Sequence, residues 1–185
     1  MTTNQTKFYN QLRADLNSTN VSMLELSRKK AQINEKASRG VFTRSYADEE
    51  IAKLDKQLEK LRYDGEVSAN AIIDHRIQSL DAETALDPAK LTEDAKLLEL
   101  DGLLTQLDID AMMLRSRSNP TMTRLVMRFA DRNGLRTETP SYMIERHENA
   151  RAAEGMRESV RAFMKWAGDP DRAEGMLERL FPPLV

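Results

Sequence analysis

Residues 87–135 decide the fold of this chain: DPAKLTEDAKLLELDGLLTQLDIDAMMLRSRSNPTMTRLVMRFADRNGL. Proline follows Asp87 and Asn119, and a proline disfavours the helical conformation in the residue before it. Asp101-Gly102 is a dipeptide typical of turns. Between these breaks the apolar residues recur at helical spacing, so the stretch predicts a series of short helices.

Three short helices are predicted here, and each has a recognisable start. Thr92 is a good N-cap for the first helix. Thr105, with Asp108 three residues later, resembles a capping box and begins the second helix. This helix carries Leu107, Ala111 and Leu114. Thr121 begins the third helix, and Gly134 ends it. The apolar face of the third helix is formed by Met122, Leu125, Val126 and Phe129.

The residues after 135 predict two further helices. Thr139-Pro140 is a start signal, with a cap followed by proline at the first helical position. This helix should continue to about Ala167, and its buried residues should be Val160, Phe163, Met164 and Ala167. Gly168-Asp169-Pro170 ends it, and a last helix should cover 171–181. We expect residues 87–185 to form one C-terminal helical domain, a compact cluster of short helices.

The residues before 87 predict two long helices. The first covers about 4–39, with a break or kink at 17–20, where Asn-Ser-Thr-Asn side chains compete for backbone hydrogen bonds. Gly40 ends it, and the second should cover about 46–80. Two helices of matched length joined by a short link predict an antiparallel, coiled-coil-like hairpin in residues 1–86. Pairing of the arms between chains is the alternative.

The composition supports an all-α protein. Charged residues make up 31% and aromatic residues 5%, and there are only 7 glycines and 6 prolines. The net charge of −2 argues against a protein that is basic throughout. The first residues lack the apolar core of a signal peptide, and no apolar run is long enough to span a membrane. We therefore expect a soluble intracellular protein, neither secreted nor membrane-bound.

Charge changes sign along the chain. Residues 86–110 carry 7 acidic and 2 basic side chains, whereas residues 111–185 carry 13 basic and 10 acidic ones. Four arginines follow one another at intervals of four: Arg124, Arg128, Arg132 and Arg136. This arginine ladder has three interpretations: a solvated helix face, a surface that docks on the acidic segment 86–110 through residues such as Asp108 and Asp110, or a phosphate-binding face for nucleic acid.

No pattern of catalytic or metal-binding residues occurs in the sequence. There is no cysteine, and the two histidines, His75 and His147, lie far apart without the spacing of a zinc motif. There is no glycine-rich phosphate loop and no nucleophile motif. The sequence therefore predicts a protein that is not an enzyme and has no cofactor.

Two segments resemble a set of small all-helical proteins encoded in tailed-phage and prophage genomes. Residues 91–98, LTEDAKLL, resemble an LTEDxKLL-like element of those proteins. Residues 121–134, TMTRLVMRFADRNG, are similar to a TMxRLLxxYAxxxG-like helix, with Phe129 where that pattern has an aromatic or aliphatic residue. The resemblance implies a structural or assembly role in the head region of the virion, and hence a location in the virion or the host cytoplasm. It transfers no functional residue, because the motifs carry no chemistry.

Together these observations predict a non-enzymatic phage-type structural or assembly protein that acts through protein–protein contacts. Its partners would be itself, as a homo-oligomer, or other phage structural proteins. The alternative is an accessory protein that binds nucleic acid or another anion through the arginine ladder.

Overall fold

The structure, a computed structural model, describes residues 3–100 and 102–183. Within these ranges the chain contains one 3₁₀ helix, Pro88–Lys90, and seven α-helices. These are α1 (Thr3–Ser38), α2 (Arg44–Thr84), α3 (Asp94–Leu97), α4 (Gln106–Arg115), α5 (Pro120–Arg132), α6 (Ser141–Met164) and α7 (Ala173–Leu180). The predicted all-α fold, with two long helices followed by shorter ones, is confirmed. The predicted turn at Asp101-Gly102 lies partly outside the described residues, since Asp101 is not among them.

Contacts divide the chain into two compact units. The first unit comprises Met1–Arg76 and Ala153–Val185, and the second unit comprises Ile77–Ala152. The divisions fall inside α2 and inside α6. The contacts therefore group residues differently from a boundary at residue 86. The division into a hairpin domain, residues 1–86, and a C-terminal helical domain, residues 87–185, stays a prediction.

In the first unit, α1 and α2 pack against each other as an antiparallel hairpin. Near the link between them, Lys30 Nζ lies 2.6 Å from Asp55 Oδ1. Farther from the link, Ser68 Oγ donates a hydrogen bond to Asp15 Oδ1 at 2.9 Å. Later residues of α2 thus contact earlier residues of α1, so the two helices are antiparallel. The predicted hairpin within one chain is confirmed.

The predicted break at residues 17–20 is wrong, because α1 continues through them. Asn20 is buried, and its Oδ1 accepts a hydrogen bond from the backbone N–H of Gly168 at 2.9 Å. Ser22 Oγ donates to the carbonyl of Ser18 without interrupting the helix. These polar side chains find partners that leave the helical hydrogen bonds intact, so the tendency to break the helix is overridden.

The core of the first unit is built from one face of α1 with parts of α2, α6 and α7. Its large buried residues are Leu12, Leu16, Met23, Ile73, Val160, Phe163, Met164, Leu177 and Phe181. Tyr9 Oη donates to the carbonyl of Pro182 at 3.0 Å, and Arg13 Nε donates to that of Phe181 at 2.8 Å. By contrast, four apolar residues of α2 nearer the link are only half-buried: Ile51, Leu54, Leu58 and Leu61. The hairpin therefore buries large apolar side chains far from its link and leaves them partly exposed near it.

The core of the second unit lies between α4 and α5. Its buried residues are Ile109, Met112, Val126, Phe129 and Ala130, and the half-buried Leu98, Leu104, Met113 and Leu135 pack around them. Ile109 and Met112 thus form the buried face of α4. Leu107 and Leu114, which the sequence places along the same helix, are exposed.

Candidate protein-interaction surface

The first turn of α5 holds the beginning of the acidic segment, residues 87–90, in place. Asn119 is the N-cap, and its Oδ1 accepts from the N–H of Met122 at 3.2 Å. The Nδ2 of the same side chain donates to the carbonyl of Lys90 at 2.7 Å. Thr121 Oγ1, which is buried, accepts from the N–H of Asp87 at 3.0 Å. The Asn119 side chain and the Thr121 hydroxyl therefore bind residues 87–90 to the first turn of α5.

The arginine ladder is on the exposed side of α5 and of the residues that follow it. The opposite side of the helix packs in the core through Met122, Val126 and Phe129. All four ladder arginines are exposed. Arg128 and Arg132 form no ion pair with any residue that the structure describes. Their charges therefore face solvent or a partner.

Two grooves lie on either side of Arg128. One has a volume of about 580 Å³ and is lined by Leu86, Arg124, Met127, Arg128, Asp131 and Met143. The other, of about 350 Å³, is lined by Ala95, Leu98, Glu99, Leu125, Arg128, Phe129 and Arg132. Both combine apolar walls with arginines at the rim. Such a lining suits apolar and acidic side chains of a protein partner.

The two acidic residues predicted to meet the ladder are engaged elsewhere. The carboxylate of Asp108 accepts hydrogen bonds from Thr105 N at 2.8 Å and Thr105 Oγ1 at 2.6 Å, as predicted from the capping-box pattern. Both hydrogen bonds lower the pKa of Asp108, and the one from the Thr105 hydroxyl has the larger effect. Asp110 Oδ1 accepts from Gln106 Nε2 at 2.8 Å. Gln106 also exchanges two hydrogen bonds with the backbone of Arg136, at 2.8 and 3.0 Å.

Neither Asp108 nor Asp110 forms an ion pair with the ladder among the described residues. Gln106 hydrogen-bonds both to the Asp110 carboxylate and to the Arg136 backbone, so Asp110 and Arg136 are linked through this side chain. Docking of the ladder on an acidic segment, whether of this chain or of a neighbouring one, stays a prediction.

An acid–arginine contact between the two charge blocks does exist, but it uses residues that sequence reasoning missed. Arg115 Nε lies 3.0 Å from Asp94 Oδ2, and Arg115 Nη2 lies 2.9 Å from Asp94 Oδ1. This two-bond geometry is the strong form of the arginine–carboxylate pair. The hydrogen bonds that Arg115 donates to the Asp94 carboxylate raise the pKa of Arg115. The two residues lie in different helices, so no periodic pattern in the sequence points to the pair.

Exposed leucines are the most distinctive feature of the second unit. Leu103, Leu107 and Leu114 are exposed by 73%, 79% and 70% respectively. Four more leucines in the same part of the chain are also exposed: Leu86, Leu91, Leu97 and Leu100. A single exposed leucine is ordinary on a protein surface. Seven within residues 86–114 make this segment the candidate interaction surface of the second unit.

Within residues 3–100 and 102–183, no group of three histidine, aspartate or glutamate side chains is arranged to hold a metal ion. His75 and His147 are both exposed. No described helix combines the length and the apolar character needed to cross a membrane. Comparison of the chain with protein families, curated proteins and solved structures finds no match.

Proposed function

We propose that this chain is a non-enzymatic structural or assembly protein of a tailed-phage particle, which acts in the head region through protein–protein contacts. The observation that carries the proposal is the set of exposed leucines between residues 86 and 114. The resemblance of residues 91–98 and 121–134 to small phage-encoded helical proteins directs it to a phage particle. Its partners are other structural proteins of the particle or further copies of itself.

The exposed leucines supply the free energy that such contacts need. Complete burial of one leucine side chain contributes about 1.5–3 kcal/mol, so a few leucines buried together offset much of the cost of association. The acidic residues among them favour partners with a basic surface and select against acidic ones. This combination suits an assembly contact.

Mass spectrometry of purified particles and of their assembly precursors tests the proposed role. We expect peptides of this chain in a fixed ratio to the major head proteins, in the precursor or the mature particle. The double variant Leu103→Glu and Leu107→Glu should be incorporated at a level at least tenfold lower. The matched control is the double variant Val41→Glu and Val67→Glu, which places the same two charges at exposed apolar residues of the first unit. Absence of wild-type peptides from both kinds of particle would refute the role.

A second candidate function, binding of nucleic acid, is favoured by one observation. Arg128 and Arg132 are exposed on the same face of α5 and have no ion-pair partner among the described residues. Phosphate groups would neutralise this face. No aromatic side chain lies between these arginines in sequence for bases to stack on except Phe129, which is buried. We therefore favour a protein partner.

A salt titration of DNA binding separates the two functions. If the ladder binds phosphate, the logarithm of affinity should fall with the logarithm of salt concentration with a slope of about −0.9 for each phosphate neutralised. We expect no binding tighter than about 10⁻⁴ M at physiological salt, a level typical of non-specific contacts. The test variant reverses Arg124, Arg128 and Arg132 to glutamate. The control reverses three exposed arginines of the first unit, Arg39, Arg44 and Arg62. Tight, salt-sensitive binding that only the ladder variant loses would favour the nucleic-acid function.

A further inference from the structure

The α3–α5 groove, the smaller of the two grooves beside Arg128, combines an apolar floor with a charged rim. It lies within the second unit and has a volume of about 350 Å³. Its floor is formed by Phe129, which is buried, and by Leu98 and Leu125, which are half-buried. The half-buried leucines leave apolar surface that a bound side chain would remove from water. A volume at the lower end of the range for ligand sites suits a few side chains of a bound segment.

The two arginines on the rim of this groove have no partner among the described residues. Arg128 and Arg132 are exposed, and neither forms an ion pair or a side-chain hydrogen bond within residues 3–100 and 102–183. They lie four residues apart in α5, so their Cβ atoms are about 5–6 Å apart and their charges repel. An anionic group that lies along this rim would be attracted by both arginines and would relieve their repulsion.

The opposite wall of the groove carries the opposite charge. Glu99, which follows α3, is exposed and forms no ion pair with a residue that the structure describes. The groove is therefore basic along its α5 edge and acidic along its other edge. A ligand that is acidic on both edges would be repelled by Glu99, whereas one that carries its acids on a single edge matches the groove.

We propose that the α3–α5 groove binds an acidic peptide segment of a partner protein. Apolar side chains of the segment cover Leu98 and Leu125, and its carboxylates pair with Arg128 and Arg132. Arginine can bind a carboxylate through two parallel hydrogen bonds, so these pairs fix the orientation of the segment as well as holding it. The proposal rests on the proposed function, because it names the partner chemistry for one protein–protein contact. That contact is separate from the contact of the exposed leucines, none of which lines this groove.

The apolar floor favours a peptide over nucleic acid. A phosphate backbone would neutralise Arg128 and Arg132, but it has no apolar group to cover the leucines of the floor. The aromatic residue that lines the groove, Phe129, is buried and offers no face on which a base could stack. Binding through phosphates alone weakens steeply as salt is added. A peptide that also buries apolar surface should keep part of its affinity at high salt.

Selection from a cell-displayed library of random short peptides, with the full-length protein as bait, tests the chemistry of the ligand. We expect the enriched peptides to carry acidic residues next to leucine, isoleucine, methionine or phenylalanine. One enriched peptide without basic residues is then synthesised with a fluorescent label, and its dissociation constant is measured by fluorescence polarisation. Replacing its acids by the corresponding amides, or its apolar residues by serine, should each weaken binding at least about tenfold. No enrichment, or enriched peptides that lack either kind of residue, would overturn the proposal.

Charge reversal locates the site on the protein. The double variant Arg128→Glu and Arg132→Glu should weaken binding of the same peptide at least about tenfold at physiological salt. The matched control is Arg117→Glu with Arg136→Glu, which makes the same change at two exposed arginines of the second unit outside this groove. It should change the dissociation constant by less than about twofold, because salt screens distant exposed charges. Circular dichroism should show the same helical content in both variants. Equal losses of affinity would mean that the peptide responds to net charge, and would overturn the assignment to this groove.

Glu99→Gln should bind the same peptide more tightly. The change removes the acid that faces a peptide without basic residues, so the dissociation constant should fall a few-fold. Damage to the fold cannot produce a gain in affinity. An unchanged or weaker affinity would contradict the proposed position of the peptide between Glu99 and the two arginines.

Two further outcomes would assign the groove to another occupant. Duplex DNA that displaces the peptide at physiological salt would assign it to nucleic acid. Self-association that is lost in Arg128→Glu with Arg132→Glu, but kept in the control variant, would assign it to a second copy of the chain. Failure of the groove proposal leaves the proposed role intact, since peptides of this chain in purified particles test that role independently.

Discussion

Replacement of Phe129 by alanine is expected to lower the free energy of unfolding of the second unit by about 3–5 kcal/mol. Phe129 is 1% exposed and packs in one cluster with Ile109, Met112 and Val126. Removing the ring deletes apolar contacts and leaves a cavity that the neighbouring helices fill only in part. Urea denaturation followed by circular dichroism should therefore show a lower midpoint for the transition of this unit.

The matched control is Leu107→Ala, which removes a comparably sized apolar side chain from the exposed face of α4. Since Leu107 is 79% exposed, its loss should change the free energy of unfolding by less than about 0.5 kcal/mol. Equal destabilisation by the two variants would mean that the covered and uncovered faces of α4 are assigned incorrectly.

Replacement of Gly168 by alanine should destabilise the first unit through two effects. Gly168 has φ +83°, a left-handed conformation that costs an alanine residue about 1–2 kcal/mol. A Cβ atom at this position would also lie 2.8 Å from Met23 Cβ and 3.3 Å from the Met23 carbonyl carbon. Relieving this overlap should cost about 1–3 kcal/mol more. Moving the backbone away would strain the hydrogen bond from Gly168 to the buried Asn20.

Gly40→Ala carries the first effect alone, so the difference between the two variants isolates the second. Gly40 has φ +73°, but a Cβ there would meet nothing within 4 Å. It should therefore carry only the conformational cost of about 1–2 kcal/mol. Thermal or urea unfolding of the two variants compares them directly. A Gly168→Ala variant no less stable than Gly40→Ala would show that α1 does not pack closely against residue 168.

Much of the fold could be predicted because its signals are local. Gly40 ends α1, Thr105 and Asp108 begin α4, and the break at Asn119-Pro120 separates α4 from α5, each through bonds or constraints within a few residues. The N-cap of α5 is Asn119 and not the predicted Thr121. The continuity of α1 through residues 17–20 could not be predicted. The partner that holds the Asn20 side chain, Gly168, is 148 residues away in sequence.

The candidate surface was only partly predictable, for similar reasons. The exposure of the arginine ladder follows from the apolar face on the other side of α5. In α4, however, Leu107 with Leu114 and Ile109 with Met112 both satisfy helical spacing, and periodicity alone does not say which face is buried. The Asp94–Arg115 pair joins two different helices, so only the packing of those helices reveals it.

The mass of the full-length protein in solution tests the importance of protein–protein contacts most directly. Light scattering across a concentration series, in DNA-free buffer at physiological salt, should give a mass that rises above the 21.1 kDa of one chain. The Leu107→Glu, Leu114→Glu double variant should stay nearer 21.1 kDa at the same concentrations. A wild-type mass of 21.1 kDa throughout, rising only when duplex DNA is added, would contradict self-association and favour a nucleic-acid partner.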